Sequence, residues 1–250
     1  VNFDISHILN NWEFQPGKVM VRRFKGRDGT DKIQLRLDLG IVQMNADGRP
    51  DGKQPHGHPT LLDFYTAKIA EIPEPAEPFE VDEEGCTQLH LEAMQYHHRC
   101  LCQMELEDYA GVIRDAGRML DILDFVNEFG AVEDLFWQRQ IGPQAILMRT
   151  RASGSKKLQD GDFDGALADI HEGIDEIRTF WKELGEENAE EQSDEIQSLE
   201  TWLESIQTQR PLSEREKLEL ALGEAVERED YEKAAYYRDM LRKLPILPQP

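Results

Sequence analysis

The sequence predicts a mainly α protein: stacked helical hairpins, with an N-terminal β-hairpin unit and a C-terminal helical hairpin. Three observations carry this. From residue 86 onward, apolar residues recur at spacings of three and four almost without a break. Between residues 18 and 44 the period shortens to two. A turn pattern of acidic residue, aromatic, two residues, then Ala or Val occurs three times, in "EDYAGV", "GDFDGA" and "EDYEKA".

The β unit comes first. In "KIQLRLDLG", Ile33, Leu35, Leu37 and Leu39 alternate with Lys32, Gln34, Arg36 and Asp38, which predicts one apolar face. "KVMVRRF" forms the preceding strand, with "KGRDGTD" as the turn between them. Gly40 lets "IVQM" change face through a bulge or bend. A lone hairpin is marginal in water, so this one must pack on helices, gain a third strand, or pair with another chain. Trp12 is expected to cover it. Residues 45–59, with two Asp-Gly pairs and three prolines, read as loop. Residues 60–72 read as a short amphipathic helix with Thr60 as N-cap.

"PEPAEPFEVDEEG" (73–85) reads as a stiff Pro/Glu linker and the main boundary. Helices are expected at about 86–106, 109–127, 133–158, 163–184, 190–208, 213–229 and 231–243. Gly142-Pro143 should interrupt or kink the third of these. The predicted divisions are thus a β-hairpin and helix unit at 1–72, the linker, a helical body at 86–210, and a hairpin with a Pro-rich tail at 211–250.

Composition limits the function classes. The chain has 250 residues and a formal charge of −22. Such a chain repels phosphate backbones, so direct nucleic-acid binding is not expected. No run of about 18 apolar residues exists to span a membrane, and no signal peptide is visible at the start. Cys86, Cys100 and Cys102 make a poor disulfide framework, which favours the cytoplasm. One segment departs from the acidic average. Residues 17–36 hold seven Lys or Arg against Asp28 and Asp31. Arg22, Arg23, Lys25, Lys32 and Arg36 read either as the solvated face of the hairpin or as a docking face for an acidic partner or the chain's own acidic helices.

Catalytic signals are weak. Cys100 and Cys102 point about 200° apart on a helix, and Cys100 shares the stripe of Leu89, Ala93 and Tyr96. With His90, His97 and His98 they make a poor zinc set, which wants four converging ligands. His56 and His58 lie in a loop. No Walker loop, nucleophile elbow or Ser-His-Asp order is present. No cofactor or metal is expected. Trp137, Trp181 and Trp202 read as core.

The turns resemble tetratricopeptide-type helical hairpins. Gly161, Phe163 and Ala166 fit that family's turn, and Gly154 fits its earlier glycine. Val112 replaces the Ala in the first copy. The aromatics are 54 and 68 residues apart, where a regular array repeats at about 34. The likeness is to a stack of hairpins across 88–184, not to a regular array.

The last copy resembles a more specific family. "LELALGEAVEREDYEKAAYYRDMLRKL" is similar to the UVR motif through Leu218, Ala225, Val226, Glu227, Glu229, Tyr231, Glu232, Ala234, Ala235, Arg238, Asp239, Leu241 and Leu244. That hairpin occurs in excinuclease subunits B and C, in Clp-type ATPases and in activators of bacterial protein arginine kinases. "AVEREDYEKAAYYRD" is most similar to the last two, although this chain lacks the zinc-binding Cys pairs of many kinase activators. The residues themselves agree. Ser213 and Glu216 make a capping box. Leu218, Leu222, Ala225 and Val226 form one apolar stripe, and Tyr231, Ala234, Ala235, Leu241 and Leu244 the other. Arg238 could pair with Glu227 or Glu229.

A hairpin of some 30 residues cannot bury a two-sided core alone. The resemblance implies that another UVR hairpin covers it, so Leu218, Leu222, Ala225, Val226, Tyr231, Ala234, Ala235, Arg238 and Leu241 are the expected partner-binding residues. The expected function is a non-enzymatic adaptor or scaffold for a protein partner, in protein quality control, with homo-oligomers as one outcome. The alternative is an accessory of DNA excision repair recruited through the hairpin. A third class is an enzyme with its site in the 45–59 loop.

Overall fold

The computed structural model describes residues 4–72, 79–131, 135–190, 192–212 and 214–243. The chain divides into two compact units, Val1–Leu203 and Glu204–Pro250. The boundary expected at 73–85 therefore falls inside the first unit. Residues 73–78 of that segment lie outside the described residues.

The first unit begins with a short helix, α1 (Ser6–Asn10), then three strands, β1 (Met20–Lys25), β2 (Asp31–Arg36) and β3 (Ile41–Asn45). They form one antiparallel sheet in the order β1-β2-β3, so the hairpin gains its third strand from its own chain. Ile33 sits opposite Met44 in the register. These two, with Ala46, form a small core with Cys102 of the helical body, and Val21, Leu35 and Leu106 pack on it.

The predicted apolar alternation ends early. β2 stops at Arg36, and residues 37–40 form a tight turn in which the Leu37 amide donates to the Gly40 carbonyl (2.9 Å). Leu39 is 87% exposed, because a turn residue has no sheet face to lie on. The polar side of β2 is covered instead. Arg22, Gln34 and Gln43 face one another across the three strands. Arg22 Nε donates to Gln34 Oε1 (2.8 Å) and Gln34 Nε2 donates to Gln43 Oε1 (2.7 Å). Trp12 lies over Arg22, 4.2 Å from guanidinium carbon to ring centre. Gln34 is buried between the exposed Arg22 and Gln43, and both of them satisfy its side chain.

Loop 46–60 leads into α2 (Leu61–Ala70), where Thr60 accepts from the Asp63 amide (3.0 Å) as its N-cap. The body follows: α3 (Glu83–Glu105), α4 (Tyr109–Phe129), α5 (Leu135–Gln159) and α6 (Phe163–Glu183). Each packs on the next in chain order, and short connections make such neighbours antiparallel. The end of the expected linker is part of this body. Val81 is buried and its amide donates to the Phe129 carbonyl (2.7 Å). Asp82 caps α3 through the Gly85 amide (2.8 Å).

The α3 stripe of Leu89, Ala93, Tyr96 and Cys100 is fully in the core, with Val112, Ala116, Met119 and Ile122 of α4 against it. Cys102 points the other way and is equally buried, because the sheet covers that side of α3. Pro143 does not interrupt α5, which runs from Leu135 to Gln159. Gly142 serves packing instead: a Cβ there would lie 2.3 Å from the Phe180 ring. Trp181 is buried, while Trp137 and Trp202 are half-buried. The edge of Trp202 rests where a Cβ on Gly154 would be, at 2.8 Å. A four-residue helix, α7 (Glu187–Glu190), precedes α8 (Asp194–Gln209), and the division between the units falls within α8.

Where loop, α2, α3 and α4 meet, charged groups are buried in number. Arg99 on α3 pairs with Asp115 on α4, and its Nη1 donates to the Asn45 carbonyl (2.9 Å). Arg114 donates to Ala46 O (3.2 Å) and Asp47 (3.0 Å). Glu92 accepts from the Leu61 amide (2.9 Å) and pairs with Arg49 (2.8 Å). These bonds fasten the loop to the helices.

Candidate functional site

The second unit holds α9 (Glu214–Glu227) and α10 (Tyr231–Lys243), which pack on each other as a helical hairpin. Ser213 and Leu244 lie outside the described residues, so the expected Ser213 cap and the end of the second stripe do too.

The turn between them explains the hairpin. Glu229 adopts a left-handed φ of 56°. The Asp230 amide donates back to Ala225 O (2.8 Å) and the Glu229 amide to Val226 O (3.0 Å), which closes the carbonyl end of α9. Asp230 then caps α10 by accepting from the Lys233 amide (3.2 Å). The same device occurs twice in the body. Glu107 at φ 55° and Gly161 at φ 77° occupy the left-handed position. The Asp108 amide donates to Gln103 O and the Asp162 amide to Lys157 O, both at 2.9 Å. Asp108 and Asp162 cap the next helix through Gly111 (3.1 Å) and Gly165 (2.9 Å). Three residues after each aromatic, Val112, Ala166 and Ala234 are buried at the helix contact. One backbone motif is used three times.

The aromatic differs between copies. Tyr109 and Phe163 are half-buried, but Tyr231 is 71% exposed. Its place in the second apolar stripe is corrected accordingly: at the first position of α10 its ring is not covered by the hairpin.

The hairpin's inner face is made by Leu218, Leu222 and Ala225 of α9 and by Ala234, Ala235 and Leu241 of α10, which are buried or half-buried. Val226 is corrected from this face; it lies outside at 53% exposure, as does Leu220. Tyr236, adjacent to the half-buried Tyr237 and in edge contact with it, is 60% exposed. Arg238 is exposed and bonds its neighbour Asp239 (3.0 Å), not Glu227 or Glu229. The structure separates an inner set from an outer one of Leu220, Val226, Tyr231 and Tyr236. Leu220 and Tyr236 are not among the residues that the sequence analysis expects at the partner surface.

The basic residues of the sheet have partners within the chain. Arg22 bonds Gln34, and Arg23 pairs with Asp31 (3.7 Å) and with Asp108, the N-cap of α4 (3.1 Å). Lys25 pairs with Asp31 (3.3 Å) and Lys32 with Asp28 (2.8 Å). Arg36 donates to the carbonyls of Trp12 (2.8 Å) and Asp38 (3.1 Å).

No group of three or more metal-ligating residues converges among the described residues. Burial pushes the Cys102 thiol up to about 11 and the Cys100 thiol higher still. His97 is pushed down by burial and by His98 beside it. No helix among the described residues is long and apolar enough to cross a membrane.

Comparison with known proteins bears on the hairpin. Searches of curated proteins and of solved structures return no match. Among protein families, residues 213–244 match the one described as UvrB/uvrC motif, so the hairpin built by α9 and α10 is a UVR motif.

Proposed function

We propose that the protein is a non-enzymatic adaptor that engages a protein partner through its UVR hairpin. The observation that carries this is the outer set on α9 and α10. Leu220, Val226, Tyr231 and Tyr236 are each more than half exposed on a hairpin only two helices thick. Aromatic and aliphatic anchors of this kind gain most when a partner excludes water from them. Matching hairpins are the favoured partner class. α9 carries five Glu against Arg215 and Lys217, while α10 carries Lys233, Arg238, Arg242 and Lys243 against Glu232 and Asp239. An acidic helix beside a basic one complements a second hairpin of the same pattern laid across it, α9 on α10. The second hairpin belongs to another UVR protein or to a second copy of this chain, in the cytoplasm.

A pull-down from lysate with the full chain, with residues 211–250 removed, and with Val226→Lys plus Tyr236→Lys tests this reading. Both changes are at exposed positions, so the hairpin should stay folded while the partner is lost. A partner retained by the doubly substituted chain counts against it. A second reading, an accessory of excision repair recruited by the same hairpin, draws on the name of the matching family. Its signature is a co-purifying excinuclease subunit.

A further inference from the structure

A cavity of about 310 Å³ opens in the first unit between α4, α5 and α6. Ile113 of α4 gives it an apolar wall. Thr150 of α5 lines it with a side chain only 5% exposed, whose hydroxyl has no hydrogen-bond partner among the described residues. Gly173 of α6 leaves that hydroxyl its room, because a Cβ there would collide with Oγ1. A buried hydroxyl without a partner costs free energy unless something in the cavity bonds to it.

The surroundings are acidic, and the acids outnumber the cations. Asp169, Glu172 and Glu176 line the cavity from one face of α6, at intervals of three and four. Lys157 bonds Asp169 (2.6 Å) and Arg149 bonds Glu176, which leaves Glu172 without an ion pair among the described residues. The acidic face runs on past the cavity. Glu183 follows Glu176 by seven residues on α6. On α4, the Asp124 carboxyl is pushed up first by burial and then by Asp121, Glu183 and Glu176, so these four groups lie within electrostatic reach of one another. Asp121, Asp124 and Glu183 have no ion pair or hydrogen bond among the described residues. Carboxylates gathered in this way repel one another, so stability does not call for them.

Spacing and chemistry narrow the ligand. The rise of a helix sets carboxylates three and four residues apart at about 4.5 and 6 Å along its axis, and Glu172 and Glu183 at about 16 Å. Ammonium groups joined by three or four methylenes have spacings of that order. The methylenes suit Ile113, and a hydroxyl oxygen such as that of Thr150 accepts from an ammonium group. We propose that the groove between α4 and α6 binds a linear aliphatic polyamine, one terminal ammonium group on Glu172 and Thr150 Oγ1 and the other end toward Asp124 and Glu183. The site lies in the first unit and does not depend on the UVR hairpin.

The test is calorimetric titration of the full chain with putrescine, spermidine and spermine, and with magnesium chloride and a lysine decapeptide for comparison. Spermidine should bind one-to-one. It should bind about threefold or more tightly than putrescine, the gain of one further ion pair at a solvated surface. Asp124→Asn should remove that gain, while Glu172→Gln and Thr150→Val should weaken all three amines. Glu224→Gln with Glu227→Gln, on the acidic α9, should change nothing. Asp124 and Glu172 are exposed, so their variants should keep the parent's circular dichroism and remain informative if Thr150→Val does not fold. The proposal is overturned if spermidine does not bind, if it binds at several equivalent sites or is displaced by magnesium at equal concentration, or if Asp124→Asn and Glu172→Gln leave binding unchanged. Binding of the decapeptide without binding of spermidine would equally overturn it, and would make the groove a docking surface for a basic protein segment.

Discussion

The Arg99 guanidinium grips the Asp115 carboxylate through two bonds, Nε to Oδ2 at 2.5 Å and Nη2 to Oδ1 at 2.8 Å, with both side chains 1% exposed. Removing one partner leaves the other charge buried and unmatched. Asp115→Ala should therefore cost about 3–5 kcal/mol, seen as a large drop in thermal midpoint. Replacing both residues with Leu and Met should cost less, since the charge that then loses a partner, Arg114, is 47% exposed and keeps Asp47. Equal losses in the single and double variants would show that the pair is not isolated from water.

The three turns predict opposite responses to glycine. Glu107 and Glu229 sit in the left-handed region, where a side chain costs roughly 1–2 kcal/mol. Glu107→Gly should raise the melting temperature of the body, and Gly161→Ala should lower it. Asp162→Ala removes a helix cap and should cost about 1 kcal/mol. Urea midpoints at constant slope would measure all three.

Phe163 makes a related point. A fully buried Phe truncated to Ala costs about 3–5 kcal/mol. Phe163 is only half-buried, so Phe163→Ala should cost about half of that, while Ala166→Leu, at a fully buried contact, should disrupt α5–α6 packing more. A Phe163 loss larger than that of Ala166→Leu would reverse this order.

Much of this was legible in the sequence, for identifiable reasons. Asp108, Asp162 and Asp230, each followed by an aromatic, mark the helix starts because capping is local chemistry. Thr60 was legible as a cap for the same reason. The UVR hairpin was readable because its residues are dense in 32 positions. What escaped was long-range. The apolar period through Leu37 and Leu39 looks like strand, but the chain turns there to make β3. Val81 looks like linker, yet it bonds to Phe129 some 48 residues on. Cys102 faces a sheet that no pattern in α3 announces. The buried charges where loop 46–60, α2, α3 and α4 meet come from four segments and, in a chain with 50 carboxylates, look unremarkable singly. Tyr231 and Val226 matched their family's pattern, and only the packing shows that they lie outside the hairpin.

Glu92 predicts a pH effect. Burial raises its carboxyl above the ordinary 4.5, opposed by the Leu61 amide and Arg49. The folded state thus holds the Glu92 proton more tightly than the unfolded chain does. That contribution to stability is complete below about pH 4.5 and is lost as pH rises through the folded value. Glu92→Gln removes it, so the variant should gain on the parent as pH is raised from 4.5 toward 7. Melting temperatures measured across that range should converge or cross. Parallel curves would mean that Glu92 titrates as it does in the unfolded chain.

The inner and outer faces of the UVR hairpin should separate in one experiment. Ala234 is buried in a hairpin whose two helices pack on each other, and a carboxylate there would place a charge in that contact at a desolvation cost. Ala234→Glu should unfold the hairpin. Tyr231 is exposed, so Tyr231→Ala should leave it folded. Hydrogen exchange reads the difference directly. The amides of 218–227 and 234–243 should lose protection in Ala234→Glu and keep it in Tyr231→Ala, while those of α3 to α6, in the other compact unit, keep theirs in both. Partner capture should be lost in both variants, in the first because the surface no longer forms and in the second because its aromatic anchor is gone. Capture intact in Tyr231→Ala would remove Tyr231 from the contact surface. Protection intact in Ala234→Glu would mean that the two helices do not depend on their close approach at Ala234.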